Sequence, residues 1–488
     1  MQLVAYGAQD VYLTANPQVT FFKQLYRRHS NFAMESIEQT FNGVGNFGKR
    51  VQCTISRNGD LITRVYVQVT LPAIDTSVVT GGGSFSWVPY LGQYMINNVY
   101  VEIGGQQIDK HYGEWLHIWN ELTLPTGKQL AYLNMINGYG GVALTPEVGC
   151  TACVTEVDAS DAAVLACNNP QISSHGDDCV FGANVVNSGI GLSAQPDALP
   201  STVSGCIPEQ TLYIPLEFWF NRHTGLALPL IALQYHEVKI NVEFENLQYL
   251  CNIGSTTSAA PETTKVLSAV GGQGLVACSL YVDYIYLDTE ERRRFAQVAH
   301  EYLIEQLQFT GTESVTSTSN KIQLSFNHPC KELVWVVQNP SYVDCNSSTN
   351  APWRYTDANL GNPTAVAKVQ LNGQDRFTER EGSYFNFVQP YQHHTSTPAT
   401  GINVYSFALK PEDLQPSGSC NFSRIDNAVL NLTLTPGTFL TNVNNITDTN
   451  ANADYSLNKQ TSANVNIYAT NYNVLRIMSG MGGLAYSN

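Results

Sequence analysis

Apolar and polar residues alternate at the ends of two stretches of the chain that follow one plan. The first stretch, residues 213–244, closes with an apolar residue at every second position: Val238, Ile240, Val242 and Phe244. The second stretch, residues 405–434, closes in the same way with Leu430, Leu432 and Leu434. A period of two turns one apolar row toward a core, which indicates strands of a two-layer β structure. The same strand, turn and strand therefore occur twice.

Further pairs of similar segments occur in the same order in the two halves of the chain. They are 37–43 with 304–311, 99–106 with 367–374, and the closing strands 281–287 with 465–477. Matches that keep one order indicate an internal duplication into two similar β domains. Superposition of the halves is expected to bring Phe41 onto Phe309 and Pro229 near Pro416.

Residues 1–24 are predicted to form an N-terminal arm. After Asn16-Pro17, helical spacing places four apolar residues on one face, with basic residues beside them, which predicts a short helix. The candidate assembly contacts are Phe21, Phe22, Leu25, Tyr26, Arg27 and Arg28. Apolar anchors on a terminal arm need a partner, which is either a neighbouring subunit or the arm's own β domain.

The rest of the chain divides into two β domains and a linker. The first domain is expected at 25–288, with an insertion at 121–210 where alternation fades and Gly, Asn, Ala, Ser and Cys predominate. Acidic residues followed by arginines predict a helical linker at 289–299, and the second domain follows at 300–488. Long loops on a rigid β frame form exposed surface, so we expect 121–210 and 341–365 to project from one end of the domains. A short helix is also predicted within HYGEWLHIWN.

Composition favours a protein whose surface pairs with other proteins. Of the 488 residues, 13% are charged and 43% are hydrophobic, and the net charge is −15. A surface of Asn, Gln, Ser, Thr and Tyr is easily desolvated, whereas a strongly acidic chain is poorly suited to coating nucleic acid. The start of the chain has no signal-peptide pattern, and the longest apolar run, 226–233, is too short to cross a bilayer. We therefore expect a soluble protein made in the cytosol.

Eleven cysteines are scattered through the chain, which fits reduced thiols better than a disulfide scaffold. Cys150 and Cys153 have zinc-type spacing, and Cys167 and Cys179 could complete a set of four ligands. The region around them, which extends to Cys206, shows no zinc-knuckle pattern. Plain thiols, or a disulfide formed after lysis, are the favoured interpretation, and no metal or other cofactor is expected.

No catalytic motif stands out in the sequence. P-loop, GxSxG and HExxH patterns are absent, and no histidines have the spacing of a cupin metal site. The sequence does not decide whether a pair of carboxylates for glycoside hydrolysis is present, because the separation of two carboxylates is set by the fold. The sequence therefore does not predict an enzyme.

Asn-x-Ser/Thr sequences provide the candidate glycosylation sites. They are Asn346, Asn445, Asn421 and Asn431. The first two lie in predicted loops and are the better acceptors. The other two lie on or near strands of the repeated unit, where a polar strand residue is the simpler interpretation.

Five long segments resemble one protein family closely. They are LVAYGAQDVYLTANPQVTFFKQLYRRHSNF, GLALPLIALQYHEVKI, VDYIYLDTEERRRFAQVAHEYLIEQLQFTG, CNFSRIDN and NYNVLRIMSGMGGLAY, and they cover both halves and both termini. They are similar to the major capsid proteins of large icosahedral double-stranded DNA viruses of algae and protists. The resemblance implies an all-β chain of two tandem eight-stranded antiparallel jelly rolls with short helices and long loops. It weakens in the loops, chiefly 121–210 and 341–365.

The resemblance also implies a function. Three chains would form a homotrimeric, nearly hexagonal capsomer that tiles an icosahedral shell. The implied partners are its own copies, neighbouring capsomers, and minor capsid proteins or an internal membrane on the inner face, with no direct contact to nucleic acid. The protein would be a late product, assembled in the host cytoplasm and located in the virion. The alternative is a jelly-roll carbohydrate-binding or hydrolytic protein, which would carry aromatic platforms beside carboxylates in a cleft.

Overall fold

The computed structural model describes residues 7–75, 84–137, 206–254, 274–343, 351–439 and 462–486. The strands of the first half are β1 (Phe32–Thr40), β2 (Arg50–Thr54), β3 (Leu61–Leu71), β4 (Ile74–Asp75), β5 (Ser84–Trp87), β6 (Ile96–Ile103), β7 (Gln106–Tyr112), β8 (Cys206–Ile207), β9 (Gln210–Pro215), β10 (Leu228–Pro229), β11 (Val238–Phe244), β12 (Cys251–Gly254) and β13 (Ala277–Leu287). The strands of the second half are β14 (His300–Phe309), β15 (Glu313–Val315), β16 (Ser319–Gln323), β17 (Pro329–Gln338), β18 (Thr364–Leu371), β19 (Gln374–Asp375), β20 (Arg380–Glu381), β21 (Asn403–Ser406), β22 (Cys420–Asn421), β23 (Ala428–Leu434), β24 (Ala463–Met478) and β25 (Met481–Leu484).

Short helices connect these strands. The α-helices are α1 (Val11–Thr14), α2 (Leu91–Met95), α3 (Gly113–Thr123), α4 (Gln129–Ile136), α5 (Trp219–Arg222), α6 (Thr289–Gln297) and α7 (Gln389–His393). A π-helical turn, Tyr384–Val388, runs directly into α7. Single 3₁₀ turns occupy Thr126–Lys128, Thr224–Leu226, Leu247–Tyr249, Pro340–Tyr342, Phe422–Arg424 and Pro436–Phe439.

The two halves repeat one sheet topology. In the first half, the strand order is β1-β13-β3 with β9 and β10 at the edge, and the second sheet is β2-β11-β6-β7. In the second half, the orders are β14-β24-β17 with β21 and β22 at the edge, and β16-β23-β18-β19. Two facing antiparallel sheets of four main strands connected in this order form a jelly roll. The predicted pair of tandem eight-stranded jelly rolls is confirmed.

The alternating rows found in the sequence are the inner faces of these sheets. Val238, Ile240, Val242 and Phe244 are each at most 2% exposed and belong to the core of the first jelly roll. Leu430, Leu432 and Leu434 are equally buried in the core of the second. Period-two patterning therefore placed both copies of the unit correctly, because only one face of each strand meets the opposing sheet.

Backbone geometry at the turns repeats as well. After the first strand of each half, Gly43 and Gly311 adopt φ values of 103° and 110°, and a side chain at either position would meet nothing within 4 Å. The hairpins β6–β7 and β18–β19 turn through residue pairs that all have positive φ, Gly104-Gly105 and Asn372-Gly373. Two-residue hairpin loops favour this mirror-image turn, for which Gly and Asn are suited.

Two pairs of residues that the duplication is expected to align have different surroundings in the two halves. Phe41 is buried in the core of the first jelly roll, whereas Phe309 packs between the two jelly rolls, on the opposite face of its sheet. Pro229 pairs with Leu61 inside β10, whereas Pro416 lies in the loop before β22. Sequence similarity between two strands does not determine which face of the sheet a given side chain occupies. A register shift of one residue moves that side chain to the opposite face.

Helix α6 connects the jelly rolls. The carboxylate of Asp288 accepts a hydrogen bond from the Glu291 backbone N–H at 2.9 Å, which satisfies the helix N-terminus. The guanidinium of Arg292 contacts buried Asp60 at 2.9 Å, and Phe295 packs beside Leu61. At least one arginine of the run therefore fixes the linker to the first jelly roll.

The parts of the two long loops that the structure describes do not project. The segment that opens 121–210 is helical, and Tyr132 and Ile136 of α4 are buried. In 341–365, Trp353 and Tyr355 are 9% and 1% exposed. These large apolar side chains need a core, so they fold back onto the jelly rolls. Residues 138–205 and 344–350 lie outside the described part of the chain.

Candidate assembly surfaces

Helix α3 packs between the two jelly rolls. Trp115, Ile118, Trp119 and Leu122 follow the i, i+3, i+4, i+7 spacing of one helix face, and all are at most 4% exposed. They pack on an outward-facing set of the second jelly roll: Leu307, Phe309, Val334, Val336, Ile402, Val404 and Tyr468. The opposite side of α3 contributes Leu116 to the core of the first jelly roll. One helix thus belongs to both halves.

An ionic cluster closes one edge of this contact. Arg222 from the first jelly roll and Lys331 from the second contact the two carboxylate oxygens of Glu305 at 2.8 and 2.7 Å. The guanidinium of Arg222 lies 3.9 Å from the ring centroid of Trp119, and Lys331 is fully buried. Lys331 also donates to the carbonyl of Pro411 at 2.5 Å. Buried charges are stable only when paired in this way.

A histidine between two carboxylates lies next to that cluster. His394 contacts Glu332 through Nε2 at 3.0 Å and Glu412 through Nδ1 at 2.8 Å, and its side chain is fully buried. Burial alone would lower the pKa of His394, but the two carboxylates outweigh it and raise the pKa to about 9. Thr470 donates to Glu332 at 3.1 Å. His394 is therefore a protonated, structural residue at neutral pH, because the fold surrounds it with acids.

A cleft of about 480 Å³ lies at the other edge of the α3 contact. Tyr94, Tyr112, Tyr249 and the carboxylates Glu114 and Glu245 contribute to its lining. This composition is what a carbohydrate-binding or hydrolytic alternative calls for. The lining carboxylates are, however, already bonded within the protein.

Glu114 is one of the lining carboxylates that are hydrogen-bonded within the chain. It accepts hydrogen bonds from the Tyr468 hydroxyl and from Asn466 Nδ2, the latter at 2.7 Å. Burial raises the pKa of Glu114, and these hydrogen bonds act in the opposite direction. Glu245 accepts from Asn97 Nδ2 at 2.5 Å. Glu114 thus helps to hold the jelly rolls together, whereas Glu245 is bonded within the first jelly roll.

The C-terminal hairpin β24–β25 docks on the first jelly roll. The carbonyl of Gly482 lies 3.0 Å from His236 Nδ1, and the Tyr235 backbone N–H donates to the Gly480 carbonyl at 3.0 Å. A side chain at Gly482 would approach Leu233 to 2.7 Å, so the glycine is needed for close contact. Gly482 is therefore packed tightly against the first jelly roll.

The N-terminal arm is extended and exposed. Helix α1 covers Val11–Thr14 only, and the helix predicted after Pro17 is wrong. A short amphipathic segment with no surface to pack on gains too little to offset helix nucleation. The exposed fractions of Phe21, Phe22, Leu25 and Tyr26 are 94%, 99%, 70% and 88%, and Arg27 and Arg28 are also exposed. The arm does not pack under its own jelly roll.

The candidate modification and metal residues are only partly described. Asn421 is exposed, and its side-chain oxygen accepts from the Ser423 backbone N–H at 3.0 Å. Asn431 is half-buried within β23. Asn346, Asn445 and the four cysteines of the zinc hypothesis, Cys150, Cys153, Cys167 and Cys179, lie outside the described residues. Within the described ranges, no three His, Cys, Asp or Glu residues are grouped as metal ligands, and no helix is long and apolar enough to cross a membrane.

Solved structures that match this fold include virus capsid proteins. The quasi-atomic model of the PBCV-1 virus capsid matches 96% of this chain and 100% of its own with a TM-score of 0.67 and 36% identity. The Faustovirus major capsid protein matches 97% of this chain and 94% of its own with a TM-score of 0.66 at 14% identity, which shows the fold alone. The class is that of double jelly-roll capsid proteins.

Sequence comparison gives the family. The major capsid protein N-terminus family matches residues 20–288, and the large eukaryotic DNA virus major capsid protein family matches residues 291–483. The major capsid proteins of Phaeocystis pouchetii virus and Paramecium bursaria Chlorella virus 1 are 47% and 40% identical over 100% of this chain and 99% of theirs. The chain belongs to the major capsid protein family of large eukaryotic DNA viruses. It is a structural protein of an icosahedral virion capsid.

Sequence reasoning missed the contact between the jelly rolls, although two signals for it were present. The spacing of Trp115, Ile118, Trp119 and Leu122 marks a strongly apolar helix face. Lys331 and Glu332 directly precede the apolar run Leu333–Val337, where charges imply buried partners. Neither signal identifies the partner, because Arg222, Glu305 and His394 are far away along the chain.

Proposed function

We propose that three copies of this chain form a homotrimeric capsomer with a nearly hexagonal outline, and that such capsomers tile the flat facets of the shell. The observation that carries the proposal is the α3 contact, which holds two jelly rolls of identical sheet order side by side through a buried interface. Three copies then present six similar wedges around a threefold axis. A nearly hexagonal unit packs against like units without gaps.

The mass of the native particle tests the trimer. Native mass spectrometry of the purified chain is expected to give three times 53.6 kDa. Negative-stain images of the same sample should have a six-sided outline. A particle of 53.6 kDa at micromolar concentration would contradict the proposed capsomer.

The arm is proposed to contact neighbours on the inner side of the shell. Phe21, Phe22, Leu25 and Tyr26 expose more apolar surface than a solvated terminus retains without a partner, and each contributes roughly 1.5–3 kcal/mol when buried. Lys23, Arg27 and Arg28 beside them suit an acidic neighbour, a minor capsid protein or an internal membrane surface. The net charge of −15 disfavours direct binding of the genome.

The domain boundaries are proposed as an arm at 1–24, jelly rolls at 25–288 and 300–488, and a helical linker at 289–299. The matched family segments and the position of α6 support this division. Limited proteolysis of free capsomers should release the arm first and leave the two jelly rolls associated. Separation of the two halves after a single cut in the linker would contradict the buried contact.

The role is proposed to be structural, without catalysis. The engagement of Glu114 and Glu245 by hydrogen-bond donors of the same chain supports this. Glycosidase assays on purified capsomers are expected to give no turnover. Assembly is proposed to take place in the host cytoplasm, which immunogold labelling of infected cells would test.

Glycosylation is proposed at the exposed Asn421 and at Asn346 and Asn445, which the sequence predicts to lie in loops, with Asn431 the poorest acceptor. Asn431 is half-buried within a central strand, so an attached sugar would collide with the sheet. Peptide mass spectrometry of the protein from purified virions identifies which of these asparagines carry a sugar. A sugar found on Asn431 and on none of the other three would contradict this ranking.

A further inference from the structure

A second helical segment occupies the place in the second jelly roll that α3 occupies in the first. Helix α3 follows β7, the strand that pairs with β6 through the hairpin turn. In the second half, β19 pairs with β18 through the equivalent turn, β20 pairs with the same strand, and the helical segment 384–393 follows. Topology therefore makes the two segments equivalent.

The two segments are alike on one side and different on the other. Phe385 of the second segment is fully buried in its own core, as Leu116 of α3 is buried in the core of the first jelly roll. On the outer side, Phe387, Val388 and Tyr391 are 49%, 40% and 83% exposed. The corresponding face of α3 is covered by the second jelly roll. We refer to Phe387, Val388 and Tyr391 as the helical face.

The sheet that α3 covers also has a counterpart that lies open. In the second jelly roll, Phe309, Tyr468, Val334 and Val404 are direct neighbours across β14, β24, β17 and β21. The equivalent strands of the first jelly roll place Tyr281 opposite Tyr66, and Tyr213 opposite Gln68. Tyr213 is 44% exposed, and Tyr66 and Tyr281 are half-buried. We refer to Tyr66, Tyr213 and Tyr281 as the tyrosine face.

The chemistry of the tyrosine face suits a contact between chains. The side chains that α3 covers are mostly aliphatic or aromatic without polar groups, as in a core that never meets water. Tyrosine offers a large apolar ring with a hydroxyl that water solvates before assembly, and it is enriched in interfaces of separately folded proteins. A face of this kind can stay soluble in the free chain and still bind strongly.

We propose that the helical face of one copy packs on the tyrosine face of a second copy, repeating between chains the contact that α3 makes within one chain. This inference rests on the proposed trimer and names the surfaces that form it. Each chain has one face of each kind, so the contact is head-to-tail, and in the proposed trimer it closes into a ring. In a ring of three, contacts within chains alternate with contacts between chains.

One substitution on each face tests the proposal. Tyr391→Asp and Tyr213→Asp each place a charge at the centre of one face while leaving the buried residues unchanged. Each variant is expected to be monomeric by native mass spectrometry, with association weakened roughly 30-fold or more. Tyr12→Asp on the arm, where Tyr12 is 92% exposed, is the matched control and is expected to remain trimeric. Circular dichroism melting should give the same fold for all three.

Mixing the two variants tests the head-to-tail arrangement. The Tyr391→Asp chain keeps its tyrosine face and the Tyr213→Asp chain keeps its helical face. An equimolar mixture at high concentration is therefore expected to form a complex of twice 53.6 kDa that grows no further. Tyr391→Asp mixed with itself should stay monomeric.

The outcomes separate this inference from the proposed function. A monomeric wild-type chain would overturn the trimer itself. A trimeric wild type whose Tyr391→Asp and Tyr213→Asp variants also remain trimeric would leave the capsomer in place and overturn the assignment of these faces. Monomeric variants that do not combine on mixing would overturn the head-to-tail pairing.

Discussion

The covered sheet face of the second jelly roll and the open face of the first occupy the same position in one repeated topology, yet their side chains differ. The covered face carries Val334, Val404 and Tyr468 under α3, with buried ion pairs at its edge. The open face carries Tyr66 and Tyr213, which are partly solvated. A duplicated fold thus preserves strand order, whereas the composition of each face follows from when it becomes buried. Faces that bury during folding can be apolar, and faces that stay open in the free chain need polar groups.

Truncation of a covered residue is expected to have the largest effect. Trp115 is fully buried, and its ring lies 5.4 Å from that of Tyr468. Trp115→Ala should lower the free energy of unfolding by about 3–5 kcal/mol, because it leaves a cavity between the jelly rolls. Tyr213→Ala on the open face should cost no more than about 1 kcal/mol. Denaturant titration at a concentration where the chain is monomeric measures the free energy of unfolding of both variants. Equal losses would contradict the difference between the covered and the open face.

The ion pairs at the edge of the covered face predict a dependence on pH. The pKa of His394 is about 9 in the folded chain and 6.5 in the unfolded chain, so its stabilisation is complete below pH 6.5 and is lost as pH rises through 9. The wild type should lose up to about 3 kcal/mol across this window. His394→Gln should lack that slope.

His393→Gln is the matched control, because His393 contacts only the Leu409 carbonyl, at 2.9 Å, among its described hydrogen-bond partners. Denaturant titrations at pH 6.5, 8 and 9.5 compare the three proteins. If the free energy of unfolding changed equally with pH in the wild type and in His394→Gln, His394 would not be the source of the pH dependence.

The equivalent hairpin turns give a smaller contrast. Gly104 has φ of 59°, and a side chain there would meet His236 at 2.4 Å, whereas Gly373 has φ of 77° and nothing within 4 Å. Gly373→Ala should cost roughly 1 kcal/mol from backbone strain alone. Gly104→Ala should cost roughly 2–3 kcal/mol, because it also displaces His236 from the C-terminal hairpin. Thermal melting measures the loss of stability in each variant. A larger loss for Gly373→Ala than for Gly104→Ala would contradict the predicted clash with His236.

Deletion of the arm is expected to affect stability least. The described arm residues before Phe32 make few contacts with the jelly rolls, so a chain lacking residues 1–24 should melt as the full chain does and should still form trimers. Association between capsomers or with inner-layer components should weaken. Analytical ultracentrifugation and shell reconstitution measure the two properties separately. Failure of the truncated chain to fold or to form trimers would place the arm in the core of the capsomer.

Much of the fold could be predicted from the sequence because it depends on local pattern. The rows ending in Phe244 and Leu434, the turn glycines and the linker helix after Asp288 all follow from periodicity and from residue conformational preferences. The topology of a jelly roll required the family resemblance, since alternation alone does not distinguish one β sandwich from another.

The contacts between the halves could not be predicted in the same way. The pairing of Lys331 with Glu305, and of His394 with Glu332, joins residues that local pattern treats separately. The helix predicted at Phe21–Tyr26 failed for the opposite reason, because helical spacing was present and a packing surface was absent. Local signals identify elements, and long-range geometry decides what each element touches.

The docking of the C-terminal hairpin has a consequence for synthesis on the ribosome. Leu475 and Ile477 of β24 belong to the hydrophobic core of the first jelly roll, and Gly482 contacts His236 of that domain. The N-terminal half of a nascent chain emerges first and usually folds first. Here that half remains incomplete until β24 and β25 leave the exit tunnel. A chain that terminates before β24 therefore lacks part of its first core, and only chains that include this hairpin present a finished building block.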